Sequence, residues 1–277
     1  MASTLEMIDL HCHILPGLDD GPKEMEEAIR MGQLAYEDGI RTIVATPHSL
    51  NSVYQNGKSM ILTRVEELCS ELRTQHSELS LKILPGADVH LSERILQEVE
   101  KGEVVTVGDG GKFILIEFPY QSIPAQAEKI LFHLLGRGLI PIISHPERNL
   151  EIMRKPGRYY EMIRMGCLGQ VTAMSLIGDF GPQIRDGSER LMKSHLVHLI
   201  ATDAHSVNRR PPLLSPAVKA AEKMIGREEA EKMVTEYPQA ILEGKKPDLP
   251  DPVSPCLLYT SDAADDLLCV DLGGRRI

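Results

Sequence analysis

Six apolar runs of strand length in this chain each close on a histidine or a carboxylate. Met7-Ile8 opens into Asp9-Leu10-His11-Cys12-His13. Residues 42–47 lead into His48, 81–87 into Asp88, 113–116 into Glu117, 140–144 into His145, and 196–202 into Asp203-Ala204-His205. Runs that are apolar nearly throughout are expected of parallel strands covered on both faces. Side chains alternate faces along a strand, so His11 and His13 point the same way. The C-terminal ends of barrel strands converge on one site, so a shared ending of this kind brings the groups together.

Helical segments separate the runs, over 22–39, 58–78, 92–101, 124–138, 157–166, 184–193, 215–225 and 228–237. In the first, Asp20 or Gly21 is placed to cap, Pro22 suits the first turn, and Glu24, Glu26 and Glu27 favour the positive end of the dipole. Met25, Ile29, Gly32 and Tyr36 make a buried stripe at helical spacing, and Gly39 ends the helix. Residues 167–172 read as a weaker strand without a ligand at its end. Strand and helix alternate through seven strands. That order argues for the α/β class, as a distorted (β/α)7 TIM-like barrel of parallel strands. An open doubly wound sheet is the alternative, but it gathers ligands at one crevice and not at nearly every strand end.

Composition narrows the function. With 277 residues, 42% hydrophobic and 25% charged, the chain can bury a large core as one soluble domain. Aromatic residues make up 4%, with no Trp, which disfavours a stacking platform for single-stranded nucleic acid. A formal net charge of −10 offers no broad basic footprint for a polyanion. No apolar run is long enough to span a membrane, and no signal-peptide pattern opens the chain. Five cysteines without framework spacing read as reduced thiols in a cytoplasmic protein.

Residues 1–244 are expected to form one domain and 245–277 a disordered tail. The stretch 245–255, rich in Pro, Asp and Lys, has the character of a linker or frayed end. From Cys256 the text opens Cys-Leu-Leu-Tyr-Thr-Ser-Asp-Ala-Ala-Asp, which resembles the translation of a transposon-end sequencing adapter. Residues 256–277 are therefore read as library read-through. Cys269 and Arg275 satisfy Cys-x5-Arg, the spacing of a cysteine-dependent phosphatase loop. No strand precedes them, and they are set aside with the tail.

The candidate metal ligands are His11, His13, Asp20, His48, Asp88, Glu117, His145, Asp203 and His205. Nine exceed the four to six positions of one ion and suit two or three ions that share bridging carboxylates. One or two of the nine are expected to serve only as hydrogen-bonding groups. Mixed imidazole and carboxylate donors fit zinc, manganese or iron better than calcium or magnesium, and point to metal-assisted hydrolysis. His90, His133, His195 and His198 are assigned to hydrogen bonding. Arg148, three residues past His145, and Arg210, in the loop after His205, stand where a guanidinium could hold phosphate oxygens. Gly108-Asp109-Gly110-Gly111-Lys112 lacks phosphate-loop spacing and reads as a turn.

Asp9-x-His11-x-His13 followed by Leu18-Asp19-Asp20-Gly21-Pro22 resembles the bacterial PHP-superfamily protein-tyrosine phosphatases of capsule and exopolysaccharide loci. Further matches are Thr46-Pro47-His48, Gly86-Ala87-Asp88, Ile116-Glu117-Phe118, Ser144-His145-Pro146-Glu147-Arg148, Thr202-Asp203-Ala204-His205 and Arg210-Pro211-Pro212, so that the resemblance covers about 7–242. It implies the PHP barrel with a trinuclear, manganese-activated centre, in which the nine candidates are ligands and Arg148 and Arg210 hold the phosphate. It further implies action on the tyrosine-rich tail of the tyrosine kinase that controls polysaccharide export. Several family members carry Glu where this chain has Asp88, one methylene shorter, which leaves the bridging geometry there open. The expected reaction is attack on phosphotyrosine by a metal-bridging hydroxide, since a phenol of pKa about 10 yields a tolerable leaving group. Alternatives are another PHP phosphoesterase, acting on histidinol phosphate or a small phosphate ester, an amide or imine hydrolase, and a non-catalytic metal-binding regulator.

Overall fold

The computed structural model describes residues 5–254. All strand pairs among them are parallel. One sheet holds β1 (Met7–Cys12), β2 (Ile40–Ala45) and β4 (Lys82–Pro85), in that order. The other runs β3 (His48–Ser49), β5 (Asp88–His90), β6 (Phe113–Glu117), β7 (Ile140–Ser144), β8 (Leu168–Thr172) and β9 (Leu199–Ala201). β1, β8 and β9 are buried at every position, as expected of strands covered on both faces.

Seven runs of chain make these nine strands, because two runs change sheets midway. Between β2 and β3 stands Pro47, which has no N–H to donate and whose carbonyl accepts from Asp88 N at 3.1 Å. Between β4 and β5 stands Gly86. A Cβ there would lie 2.6 Å from Val44 Cγ1 and 3.1 Å from Thr46 Cγ2, so only glycine lets the neighbouring strand approach.

β1 and β9, the outer strands of the two sheets, meet at one end. Asp203 N donates to His11 O at 2.7 Å and His13 N to Ala204 O at 2.9 Å. At the other end the strands are held apart: Ile8 N donates to Val234 O at 2.8 Å and Ile200 N to Met233 O at 3.3 Å. These carbonyls explain why the helix expected over 228–237 is two, α10 (Arg227–Lys232) and α11 (Glu236–Leu242). In a continuous helix the Met233 carbonyl would accept from Tyr237 N, but Pro238 has no N–H to offer the Val234 carbonyl.

The other helices are α1 (Met25–Glu37), α2 (Lys58–Gln75), α3 (Arg94–Glu100), α4 (Ala127–Gly136), α5 (Leu150–Arg154), α6 (Gly157–Met165), α7 (Ala173–Ile177), α8 (Pro182–Lys193) and α9 (Ser215–Ile225). The single-turn α5 and α7 are too short to show a period in sequence. α1 starts at Met25 rather than near Pro22, and its N-cap Glu24 makes no side-chain cap bond. Asp20 and Gly21 do not cap it. The preceding loop is closed on itself by Gly17 N to Pro22 O at 2.9 Å and turns its carboxylates elsewhere. α1 buries Ala28, Ile29, Met31, Gly32 and Ala35, while Met25 and Tyr36 of the expected stripe are half-buried. Residues 245–254 are irregular yet packed: Val253 N donates to Ser194 O at 2.9 Å, and His195 Nδ1 lies 2.9 Å from Asp251 O. Cys256, Cys269 and Arg275 lie outside the described residues.

Candidate metal centre

The end where β1 meets β9 is the end at which the strands release their ligands. His11 and His13 leave one face of β1, and their Nε2 atoms stand 3.1 Å apart. Asp203 Oδ1 is 3.3 Å from His11 Nε2 and 3.4 Å from His13 Nε2. Asp88 Oδ2 faces His11 Nε2 at 3.8 Å and His48 Nδ1 at 3.4 Å. Glu117 lies 3.5 Å from His48 Nδ1 and 3.8 Å from His145 Nε2. Asp20 closes the other side, 3.3 Å from His205 Nε2 and 3.7 Å from His48 Nε2. The nine predicted ligands therefore share one mouth. Within it His13, Asp20, His48 and His205 form one compact group, His11, His13 and Asp88 a second, and His48, Asp88 and Glu117 a third. His13, His48 and Asp88 each belong to two groups. The short Asp88 side chain reaches both of its groups from a fully buried position.

The partners of the ring nitrogens indicate what this cluster can hold. Asp19 Oδ2 lies 2.7 Å from His13 Nδ1 and accepts the hydrogen there, which turns Nε2 toward the cluster to hold either a proton or a metal ion. Gln170 Oε1 does the same for His11 Nδ1 at 2.8 Å. Two imidazole Nε2 atoms and a carboxylate oxygen then converge. Such an arrangement repels itself unless a proton or a cation lies at its centre. His48 Nδ1 and Asp88 Oδ2 are likewise buried without a hydrogen-bond partner. The donor set is thus of the right kind for divalent ions, with ring tautomers fixed from behind.

Charge follows the same division. Burial expels the proton from His11 and holds its pKa at about 4, although Asp203 and Asp88 oppose this. At His13 burial acts likewise, but Asp19 and Asp203 outweigh it and lift the pKa to about 10. Burial would raise Asp19, yet His13 and the N–H groups of Gly21 and His48 keep it at about 2. Asp203 stays well below the usual carboxylate range despite burial, through Arg148, His11 and Arg210. Arg148 and Arg210 each give an Nη2 hydrogen to Asp203 Oδ2. The Nε of each arginine is buried without a partner. Asp203 thus divides its oxygens between histidines and guanidinium groups. A cleft opens beside Arg148, lined in part by Glu117, Tyr120 and His145.

His145 (φ 34°) and Asp203 (φ 51°) both adopt left-handed backbone, which is uncommon for non-glycine residues. The loop after β7 turns at once, with Arg148 N donating to His145 O at 3.0 Å, which places ring and guanidinium on one side.

Three neighbours of the site were missed in the sequence. Asp19 stands beside Asp20, but its bond to His13 is visible only in three dimensions. Gln170 lies on β8, the run without a terminal ligand. His90, assigned to hydrogen bonding, has Nδ1 3.8 Å from Glu117 Oε2. The period of two that pairs His11 with His13 also pairs Asp88 with His90, and that signal was available. His133, His195 and His198 lie elsewhere: His133 on α4, and the other two beside the 245–254 segment.

A parallel α/β fold that gathers imidazoles, carboxylates and two guanidinium groups at its strand ends defines a metal-dependent hydrolase of phosphate-like substrates. The chain belongs to the capsular polysaccharide synthesis family CpsB/CapC, whose model matches residues 7–243. It is 38% identical over 239 residues to tyrosine-protein phosphatase YwqE of Bacillus subtilis (strain 168), covering 86% of this chain and 92% of that one. It is 30% identical over 244 residues to tyrosine-protein phosphatase CpsB of Streptococcus agalactiae, covering 86% and 98%. Among solved structures it resembles one from the study of YwqE from Bacillus subtilis and CpsB from Streptococcus pneumoniae, described as unique metal-dependent tyrosine phosphatases. The TM-score is 0.85 at 36% identity, over 89% of this chain and 98% of that chain.

Proposed function

We propose that this protein is a metal-dependent protein-tyrosine phosphatase. The observation that carries the reading is the set of three donor groups sharing His13, His48 and Asp88, with Arg148 and Arg210 at their edge. Divalent ions held by such groups activate water and offset the charge of a bound phosphate. His11, His13, Asp20, His48, Asp88, Glu117, His145, Asp203 and His205 are the proposed ligands. Manganese is the proposed ion, in keeping with mixed imidazole and carboxylate donors and no thiolate. Arg148 and Arg210 bind the phosphate oxygens through N–H groups that their shared contact with Asp203 leaves free. Asp19 and Gln170 hold His13 and His11 in the tautomers that ligation needs.

A thiolate mechanism has no support among the described residues. Burial pushes the Cys12 thiol far up and lifts Cys167 to about 12, and Cys69 is also raised by burial.

The seven runs are proposed to form the distorted (β/α)7 barrel of the PHP fold. The paired hydrogen bonds between the ends of β1 and β9 support closure, and the wedge of Met233 and Val234 accounts for the distortion. The proposed substrate is the phosphotyrosine tail of a bacterial tyrosine kinase that regulates capsule or exopolysaccharide synthesis, and the proposed compartment is the cytoplasm. No described helix is long and apolar enough to cross a membrane.

The test is an assay of the purified protein on a phosphotyrosine peptide, with histidinol phosphate alongside. Excess chelator is expected to abolish peptide turnover and Mn²⁺ to restore it. Activity that survives chelation, or a preference for histidinol phosphate, overturns the reading.

A further inference from the structure

The turn between α7 and α8 places one aromatic ring against both arginines of the site. Gly178 (φ 93°) and Gly181 (φ 96°) take left-handed backbone on either side of Asp179-Phe180. The Phe180 ring centroid lies 5.5 Å from Arg148 Cζ and 5.9 Å from Arg210 Cζ. Both distances fall within cation–π range. The two guanidinium groups converge on a single oxygen, Asp203 Oδ2, so they repel each other while sharing an anion. The negative face of a ring that touches both offsets that repulsion.

The placement of the ring is itself anchored to the arginine loop. Glu147, the residue before Arg148, is fully buried. Its Oε1 accepts from Thr172 N at 3.0 Å and from Ser175 Oγ at 2.6 Å. These bonds tie the first turn of α7 to the loop that presents Arg148. The turn at the far end of α7 then carries Phe180. Phe180 is half-buried. It is therefore not a core residue whose role is to fill volume.

We propose that Phe180 is a positioning residue that holds Arg148 and Arg210 together as one phosphate clamp. The proposal rests on the reading of those arginines as phosphate-binding groups.

Its test measures inorganic phosphate binding to the Mn²⁺-loaded protein by calorimetry, together with kcat and KM on a phosphotyrosine peptide. Phe180→Leu removes the π face and keeps an apolar side chain, and Phe180→Tyr keeps the ring. Phe180→Met serves as a second ring-free variant should the leucine variant not fold. Loss of the ring is expected to weaken phosphate binding about fivefold and raise KM similarly, with kcat and metal content nearly unchanged. Phe180→Tyr is expected to bind phosphate like the parent. Parent-like binding in the ring-free variants, or equal loss in Phe180→Tyr, overturns the proposal. Arg148→Ala and Arg210→Ala separate the two levels. If neither weakens phosphate binding, the arginine reading falls and this inference with it. If both weaken it while the ring-free variants do not, the role of Phe180 alone is refuted.

Discussion

Asp19 holds three groups with one carboxylate. Oδ2 faces His13 Nδ1 at 2.7 Å and accepts from His48 N at 3.0 Å, while Oδ1 accepts from Gly21 N at 2.9 Å. It thereby fixes the tautomer of one shared ligand and the backbone of another. Asp19→Asn keeps the shape but can present an amide N–H to His13, which favours the wrong tautomer. Such a variant is expected to bind Mn²⁺ about 10–100-fold more weakly while remaining folded. Competition with a chelating dye measures this, and parent-like affinity would show that His13 needs no support. Eight of the nine proposed ligands could be read from the sequence because each is metal-competent and stands at the end of an apolar run, whereas Asp20 stands in the loop over 18–22. Asp19 and Gln170 could not, because their role is defined by the ring nitrogens they face and not by their place in a pattern. His90 could have been read, since it repeats the spacing that revealed His13.

The strands were legible where hydrophobic runs were long, and their interruptions were not. Gly86 marks the point where a run crosses between sheets, and only the proximity of Val44 reveals the reason. Gly169 on β8 is a stricter case. A Cβ there would lie 2.2 Å from Tyr159 Oη and 2.4 Å from Leu196 O. Tyr159 is fully buried and donates to Leu196 O at 2.8 Å, so neither neighbour can yield. Gly169→Ala is expected to destabilise the fold by about 2–4 kcal/mol. It should also impair metal binding, because the next residue, Gln170, orients His11. Urea unfolding measures the first effect, and a variant within about 0.5 kcal/mol of the parent would contradict the packing argument. The start of α1 was misread for a related reason. Asp20 and Gly21 have the composition of a helix cap, but the loop turns its carboxylates toward His13, His48 and His205 instead.

At the scale of the whole molecule, the two ends of the strands carry opposite duties. One end gathers charge, while the other is closed by Met233, Val234 and the 245–254 segment. His198 belongs to that second end and is 4% exposed. Burial lowers its pKa to about 4, and its Nδ1 accepts from Gly169 N at 3.1 Å. The unfolded chain takes up a proton near pH 6.5, the folded one only near 4, so between those values the unfolded state binds more protons. The stability due to neutral His198 is complete above pH 6.5 and is lost as pH falls toward 4. The loss is about 2–3 kcal/mol by pH 4.5. His198→Asn can keep an acceptor for Gly169 N and cannot titrate. Its stability is expected to fall less steeply than the parent's between pH 6.5 and 4.5 in paired urea titrations, and identical slopes would contradict the assignment. Alternation of strand and helix made the α/β architecture readable. The meeting of β1 with β9 at one end only was not, because it depends on carbonyls from a segment that reads as unbroken helix.

These strand ends are proposed to form one ion-binding mouth. Anomalous diffraction from crystals grown with Mn²⁺ tests it most directly. Peaks are expected among His13, Asp20, His48 and His205, among His11, His13 and Asp88, and among His48, Asp88 and Glu117. A fully loaded protein with manganese only at other positions would contradict it.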